Sequence, residues 1–104
     1  MGEMDHGLSE KTVATIHGIL AGFPEVEGAV LFGSRAKGCH REGSDIDLTL
    51  LGDQVTRKVL THIEFAFDDS MLPYRFSLSA KHMLSDADFI AHIERVGVKF
   101  YSKA

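Results

Sequence analysis

The chain has 104 residues, with 15 acidic and 11 basic side chains and a formal charge of −4 when histidine is neutral. That length supports one domain over residues 1–104 and argues against two. An apolar content of 44% is that of a globular protein. The longest apolar run with strand character, Ala29 to Phe32, is far short of the ~20 residues of a membrane helix. Met1 to Glu10 carries three acids and no apolar stretch, so it does not read as a signal peptide. The single cysteine, Cys39, allows no internal disulfide. A cytoplasmic setting without membrane attachment is expected. The acid excess also argues against a broad nucleic-acid footprint.

Helical spacing comes first. Ser9 is placed as an N-cap, Val13, Ile16, Ile19/Leu20 and Phe23 share a face, and Gly22 with Pro24 stops the helix. Ala29 to Phe32 then reads as a short buried strand ending at Gly33. Ile46, Leu48 and Leu50 alternate with Asp45, Asp47 and Thr49, the period-2 pattern of a strand with one covered face. Thr56 to about Asp68 returns to helical spacing through Val59, Ile63, Ala66 and Phe67. After Pro73, Tyr74, Phe76 and Leu78 alternate with Arg75, Ser77 and Ser79, giving a third strand. Ser85 is read as the cap of a last helix whose Phe89, Ile90, Ile93 and Val96 share a face and which Gly97 stops. Val98, Phe100 and Tyr101 are left as candidates for a partner surface. The order predicts an α/β (α+β) domain, a small mixed sheet with helices on one face.

Gly33 to Ser44 fits no periodic template. It holds Gly33, Gly38 and Gly43 with Arg35, Lys37 and Arg41, and a non-periodic loop of this length in a small domain is usually functional. On the next strand, Asp45 and Asp47 point to one side, with Cα atoms roughly 7 Å apart. Like charges held side by side persist most readily when a divalent cation neutralises them, and oxygen ligands without His or Cys favour Mg²⁺ or Mn²⁺. Taken alone, such a pair is more often a solvated acidic turn. Gly33-Ser34 changes the balance, because free backbone N–H groups after a buried strand favour an anion, and Arg35 and Lys37 add positive charge. A phosphate cradle beside a metal-type acid pair describes a nucleoside-triphosphate site for metal-assisted phosphoryl transfer.

Gly33-Ser34, ten intervening residues and then Asp45-Ile46-Asp47 resemble the GSx10DxD signature of the DNA polymerase β superfamily of nucleotidyltransferases. The strings GSRAKG and SDIDL, with Leu72-Pro73-Tyr74 and His92 to Gly97, are similar to its minimal branch, often paired with HEPN-domain toxins. The resemblance runs from about Ser9 to Tyr101 and implies the polymerase β-like fold. It implies that Gly33 and Ser34 hold a triphosphate and that Asp45 and Asp47 are the catalytic, Mg²⁺-binding pair. It further implies transfer of AMP from ATP to a hydroxyl, in toxin-paired members a tyrosine of the toxin. Arg35 stands where the family often has a basic residue, and phosphate orientation and a structural pairing are both open to it.

One departure matters for rate. The family usually has a third aspartate on the strand after Leu-Pro-Tyr, and this chain has Ser77 there, with no acid between Met71 and Leu84. That carboxylate completes the metal site and can take the proton of the attacking hydroxyl, help typically worth ~10²–10⁴ in rate. Asp68 and Asp69 sit at a helix end before Pro73 and are not expected to replace it. Two readings follow: an enzyme that modifies its partner toxin, or a weakened nucleotide- or partner-binding module that neutralises by contact. The six histidines show no metal-ligand spacing and read as surface or partly buried residues.

Overall fold

The first helix, α1 (Glu10–Ala21), begins where the Ser9 hydroxyl accepts the Thr12 N–H at 3.1 Å, satisfying one of the donors that a helix start leaves open. The protein is described by a computed structural model covering residues 7–37 and 45–103. The loop residues Gly38, Cys39, Arg41, Gly43 and Ser44 lie outside the described residues.

Beyond α1 the chain forms β1 (Gly28–Phe32), the single-turn α2 (Ser34–Lys37), β2 (Ile46–Leu51), α3 (Arg57–Asp69), β3 (Phe76–Ala80), a 3₁₀ turn (Lys81–Met83), α4 (Ala87–Val96) and β4 (Val98–Ser102). The sheet order is β3-β2-β1-β4, with β1 antiparallel to both β2 and β4 and β3 parallel to β2. A parallel neighbour requires a crossover, and α3 supplies it. Among the described residues no helix is long and apolar enough to cross a membrane.

Strand alternation divides the sheet into two faces. Ala29, Leu31, Ile46, Leu48 and Leu50 point to one side and pack with Ile16 and Leu20 of α1 and Ile63 and Phe67 of α3. Each fully buried Leu or Ile contributes about 1.5–3 kcal/mol of transfer free energy, so this layer is the main source of stability. Phe67 stacks on Phe76 with ring centroids 4.2 Å apart, pinning the last turns of α3 to the start of β3. The other face carries Val30, Phe32, Asp47 and Thr49, with Ser77 and Ser79 beside them. The hydroxyl of Ser79 donates to that of the fully buried Thr49 at 3.0 Å.

Three expectations need correction. The helices do not all lie on one face: α1 and α3 do, but α4 crosses the other, its Phe89 edge-on to Phe32 at 5.5 Å. Gly97 makes this approach possible, since a Cβ there would meet Val30 Cγ1 at 2.6 Å. The cap of α4 is Asp86 rather than Ser85, because its carboxylate reaches two open donors, Asp88 N at 3.0 Å and Phe89 N at 3.3 Å. Of the partner-surface candidates Val98, Phe100 and Tyr101, Phe100 belongs to the core instead. All three lie in the edge strand β4, where Phe100 is 7% exposed and its carbonyl oxygen is 2.7 Å from His17 Nε2.

Candidate active site

The turn after β1 brings the glycine and the acid pair together. Gly33 has φ +79°, a conformation that costs an L-residue roughly 1–2 kcal/mol. The register sets Phe32 opposite Asp47, and a Cβ built on Gly33 would collide with Asp47 Oδ2. Only a glycine lets the backbone pass this close to the carboxylate. Ser34 opens α2 immediately afterwards, so the backbone N–H groups of a single helical turn start beside Asp47.

Gly33→Ala should therefore lower thermal stability and weaken nucleotide binding by about tenfold or more, since the new methyl displaces Asp47 as well as straining φ. Calorimetry with AMP-PNP and a melting curve check both effects. A variant with wild-type affinity would show that the Gly33–Asp47 approach is unimportant to binding.

Asp47 is half-buried in the middle of this arrangement, and Asp45 is exposed at the mouth of β2. Burial foremost, and then the charge of Asp45, holds the Asp47 carboxyl above its usual value of 3.8. Neither aspartate has an ion pair among the described residues. The two carboxylates thus stand side by side as like charges, and it is this repulsion that adds to burial at Asp47. Among the described residues no group of three or more His, Cys, Asp or Glu side chains could hold a metal ion. Two carboxylates suit Mg²⁺, which keeps several waters and is commonly held by one or two carboxylates plus substrate phosphates.

Ser77 is the register partner of Asp47 on the neighbouring strand. The position that the resemblance gives to a third carboxylate is therefore directly beside Asp47, about 4.8 Å away between backbones. Arg35, in contrast, is turned inward. It is 2% exposed, with its guanidinium carbon 5.1 Å above the Tyr74 ring, so it ties α2 to the segment leading into β3. Arg35→Lys should lower the melting temperature while keeping the charge, because an ammonium lacks the flat face that stacks on the ring. An unchanged melting curve would mean that the stacking contributes nothing.

The structure also brings to the site residues to which the sequence assigned no place there. A groove of about 640 Å³ opens at Asp45 and is lined by Asp68, Leu72, Pro73, Tyr74 and Arg75. Asp68 reaches it because the crossover returns α3 beside β2. The available signal was the parallel β2-α3-β3 unit itself, which places the end of α3 and the start of β3 at one end of the sheet.

A glycine turn and an acid pair on adjacent strands of a small mixed sheet, with helices on both sides, define a domain of the nucleotidyltransferase fold. The family model described as polymerase beta, nucleotidyltransferase, matches residues 14–104, and the chain belongs to that family. A toxin–antitoxin crystal structure with AMP-PNP superposes with a TM-score of 0.72 at 17% identity, over 88% of this chain and 73% of that one. A mutant of the toxin–antitoxin pair MntA–HpeT gives 0.67 at 15% identity, over 92% and 75%. At such identities the likeness is one of fold. No curated protein matches the sequence.

Proposed function

We propose that this chain is the antitoxin of a toxin–antitoxin pair, a nucleotidyltransferase that transfers AMP from ATP, with Mg²⁺, to a hydroxyl of a HEPN-type partner toxin. The observation that carries the reading is the Gly33 backbone seated against Asp47, with Asp45 beside it. This joins a surface of backbone donors for phosphate to a pair of carboxylates that have no ion pair among the described residues. The toxin–antitoxin structures of similar fold, one of them with AMP-PNP, support the partner and the nucleotide class. Exposed Phe65 and Met71 at the end of α3 leave apolar surface near the groove, which suits a protein acceptor better than a small one.

Asp45 and Asp47 would hold Mg²⁺, which when bound neutralises charge on the triphosphate. Gly33 and the start of α2 orient the phosphates. The acceptor oxygen bonds to the α-phosphorus, the bond to the β-phosphate oxygen breaks, and pyrophosphate leaves. The acceptor proton passes to solvent, because Ser77 offers no carboxylate to take it.

That last feature favours a second reading, a nucleotide-binding module that neutralises the toxin by contact and turns over slowly. Incubation with α-labelled ATP, Mg²⁺ and the co-expressed neighbouring protein separates the two. Label appearing on the neighbour supports transfer. A stable complex without label supports the binding module, and neither complex nor label counts against both.

A further inference from the structure

We infer that the outward face of α3 is a self-association surface, on which a second copy of this chain lies antiparallel with Lys58 of each against Asp69 of the other. Helical spacing builds the face. Ile63 and Phe67 point into the core. At about 3.6 residues per turn, Lys58, His62, Phe65 and Asp69 then form one stripe on the opposite side. Their steps of four, three and four residues are those of a seam between paired helices. All four are exposed, Phe65 to 65%. The stripe therefore has an apolar middle, with a cation at one end and an anion at the other.

The charges of α3 run against its own dipole. Arg57 and Lys58 open the helix and Asp68 and Asp69 close it, with no acid in the first turn and no base in the last. A helix start favours anions and a helix end favours cations, so both ends of α3 are unfavourable to it alone. Lys58 and Asp69 have no ion pair among the described residues. An antiparallel second α3 reverses both relations, bringing its acidic end to Arg57 and Lys58 and its N-terminal dipole to Asp68 and Asp69. The register that sets Lys58 against the second copy's Asp69 also sets His62 against its Phe65. A two-fold axis repeats each contact, so the stripe is complementary to itself. This match selects a second copy over an unlike protein. The helix ends are firm: the Thr56 hydroxyl accepts the Val59 N–H at 3.2 Å, and the Ser70 N–H donates to the Ala66 carbonyl oxygen at 3.1 Å. Met71, 86% exposed just beyond, adds apolar surface opposite the second copy's Thr56. A seam of about 16 Å is shorter than a standard interface needs, so the dimer is weak, with a Kd on the order of 0.1 mM. An acceptor protein that covers Phe65 displaces the second copy, and the dimer is thus a form of the free chain.

The test is sedimentation equilibrium of the whole chain, alone, from about 10 μM to about 1 mM. The apparent mass should rise with concentration toward twice that of one chain. Lys58→Glu and Asp69→Lys should each weaken association about tenfold or more, because the two-fold axis makes each change repel twice. An equal mixture of the two variants should associate within about threefold of the wild type, since the unlike chains then meet with opposite charges at both ends of the seam. Both positions are exposed, and each new charge favours the helix dipole. Each variant should therefore melt no lower than the wild type at low concentration. A wild type that stays monomeric at about 1 mM overturns the inference and leaves Phe65 to a different protein. A dimer that either variant forms equally well overturns it too, as does a mixture of folded variants that fails to recover. None of these outcomes bears on the nucleotidyltransferase reading, which AMP-PNP binding and label transfer decide.

Discussion

Ser77→Asp should raise AMP transfer to the partner by about 10²-fold or more, the scale expected of a positioned general base. Ser77 and Asp47 are register partners on parallel strands, so the new carboxylate would stand beside the existing pair on the same face of the sheet. AMP-PNP affinity should change much less, because the group acts on the acceptor side. In the absence of metal the variant should melt lower than the wild type, since a third like charge joins two that already repel. Added Mg²⁺ should recover that loss. Rapid transfer by the unaltered chain, or no gain from a folded variant, would mean that another group does this work. Asp68, which lines the groove with Asp45, would then be the first to examine by Asp68→Asn.

Features with a local cause were legible in the sequence. The Ser9 cap, the helical stripe from Val13 to Leu20 and the alternation from Ile46 to Leu50 each depend on neighbours a few residues apart, and each appears at nearly the expected bounds. The facing of Asp47 and Ser77 also follows from period-2 alternation once the strands are parallel neighbours. Long-range pairings left no such trace. β4 exists because Gly28 pairs with Ser102 and Ala29 with Tyr101, and five residues after a glycine carry too little pattern to announce that. The inward turn of Arg35 depends on Tyr74, far along the chain. The crossing of α4 over Phe32 depends on a bare Gly97 against Val30, a matter of shape rather than hydropathy. For the same reason, the groove at Asp45 was out of reach until α3 and β3 were placed.

Asp47→Asn should make the metal-free protein more stable at neutral pH and at the same time abolish Mg²⁺-dependent nucleotide binding. The two effects have one cause. Burial and the neighbouring Asp45 raise the Asp47 carboxyl above 3.8 in the folded chain, so the fold favours the protonated form relative to the unfolded chain. This group's stabilising proton is fully bound below the unfolded value, and the benefit is lost as pH rises through the folded one. At pH 7 the ionised carboxylate therefore opposes folding, and an amide of the same shape relieves it. Melting curves of the metal-free wild type should rise as pH falls toward 4, and those of the variant should show less of that slope. Saturating Mg²⁺ and AMP-PNP should stabilise the wild type, by about 2.7 kcal/mol at a hundredfold excess over Kd, and leave the variant where it was. Asp45→Asn should reproduce the loss of binding with a smaller gain in stability, because Asp45 is exposed at the strand mouth. If both variants still bind AMP-PNP more tightly with Mg²⁺, the metal is held elsewhere, and the strain at Asp47 has a different purpose.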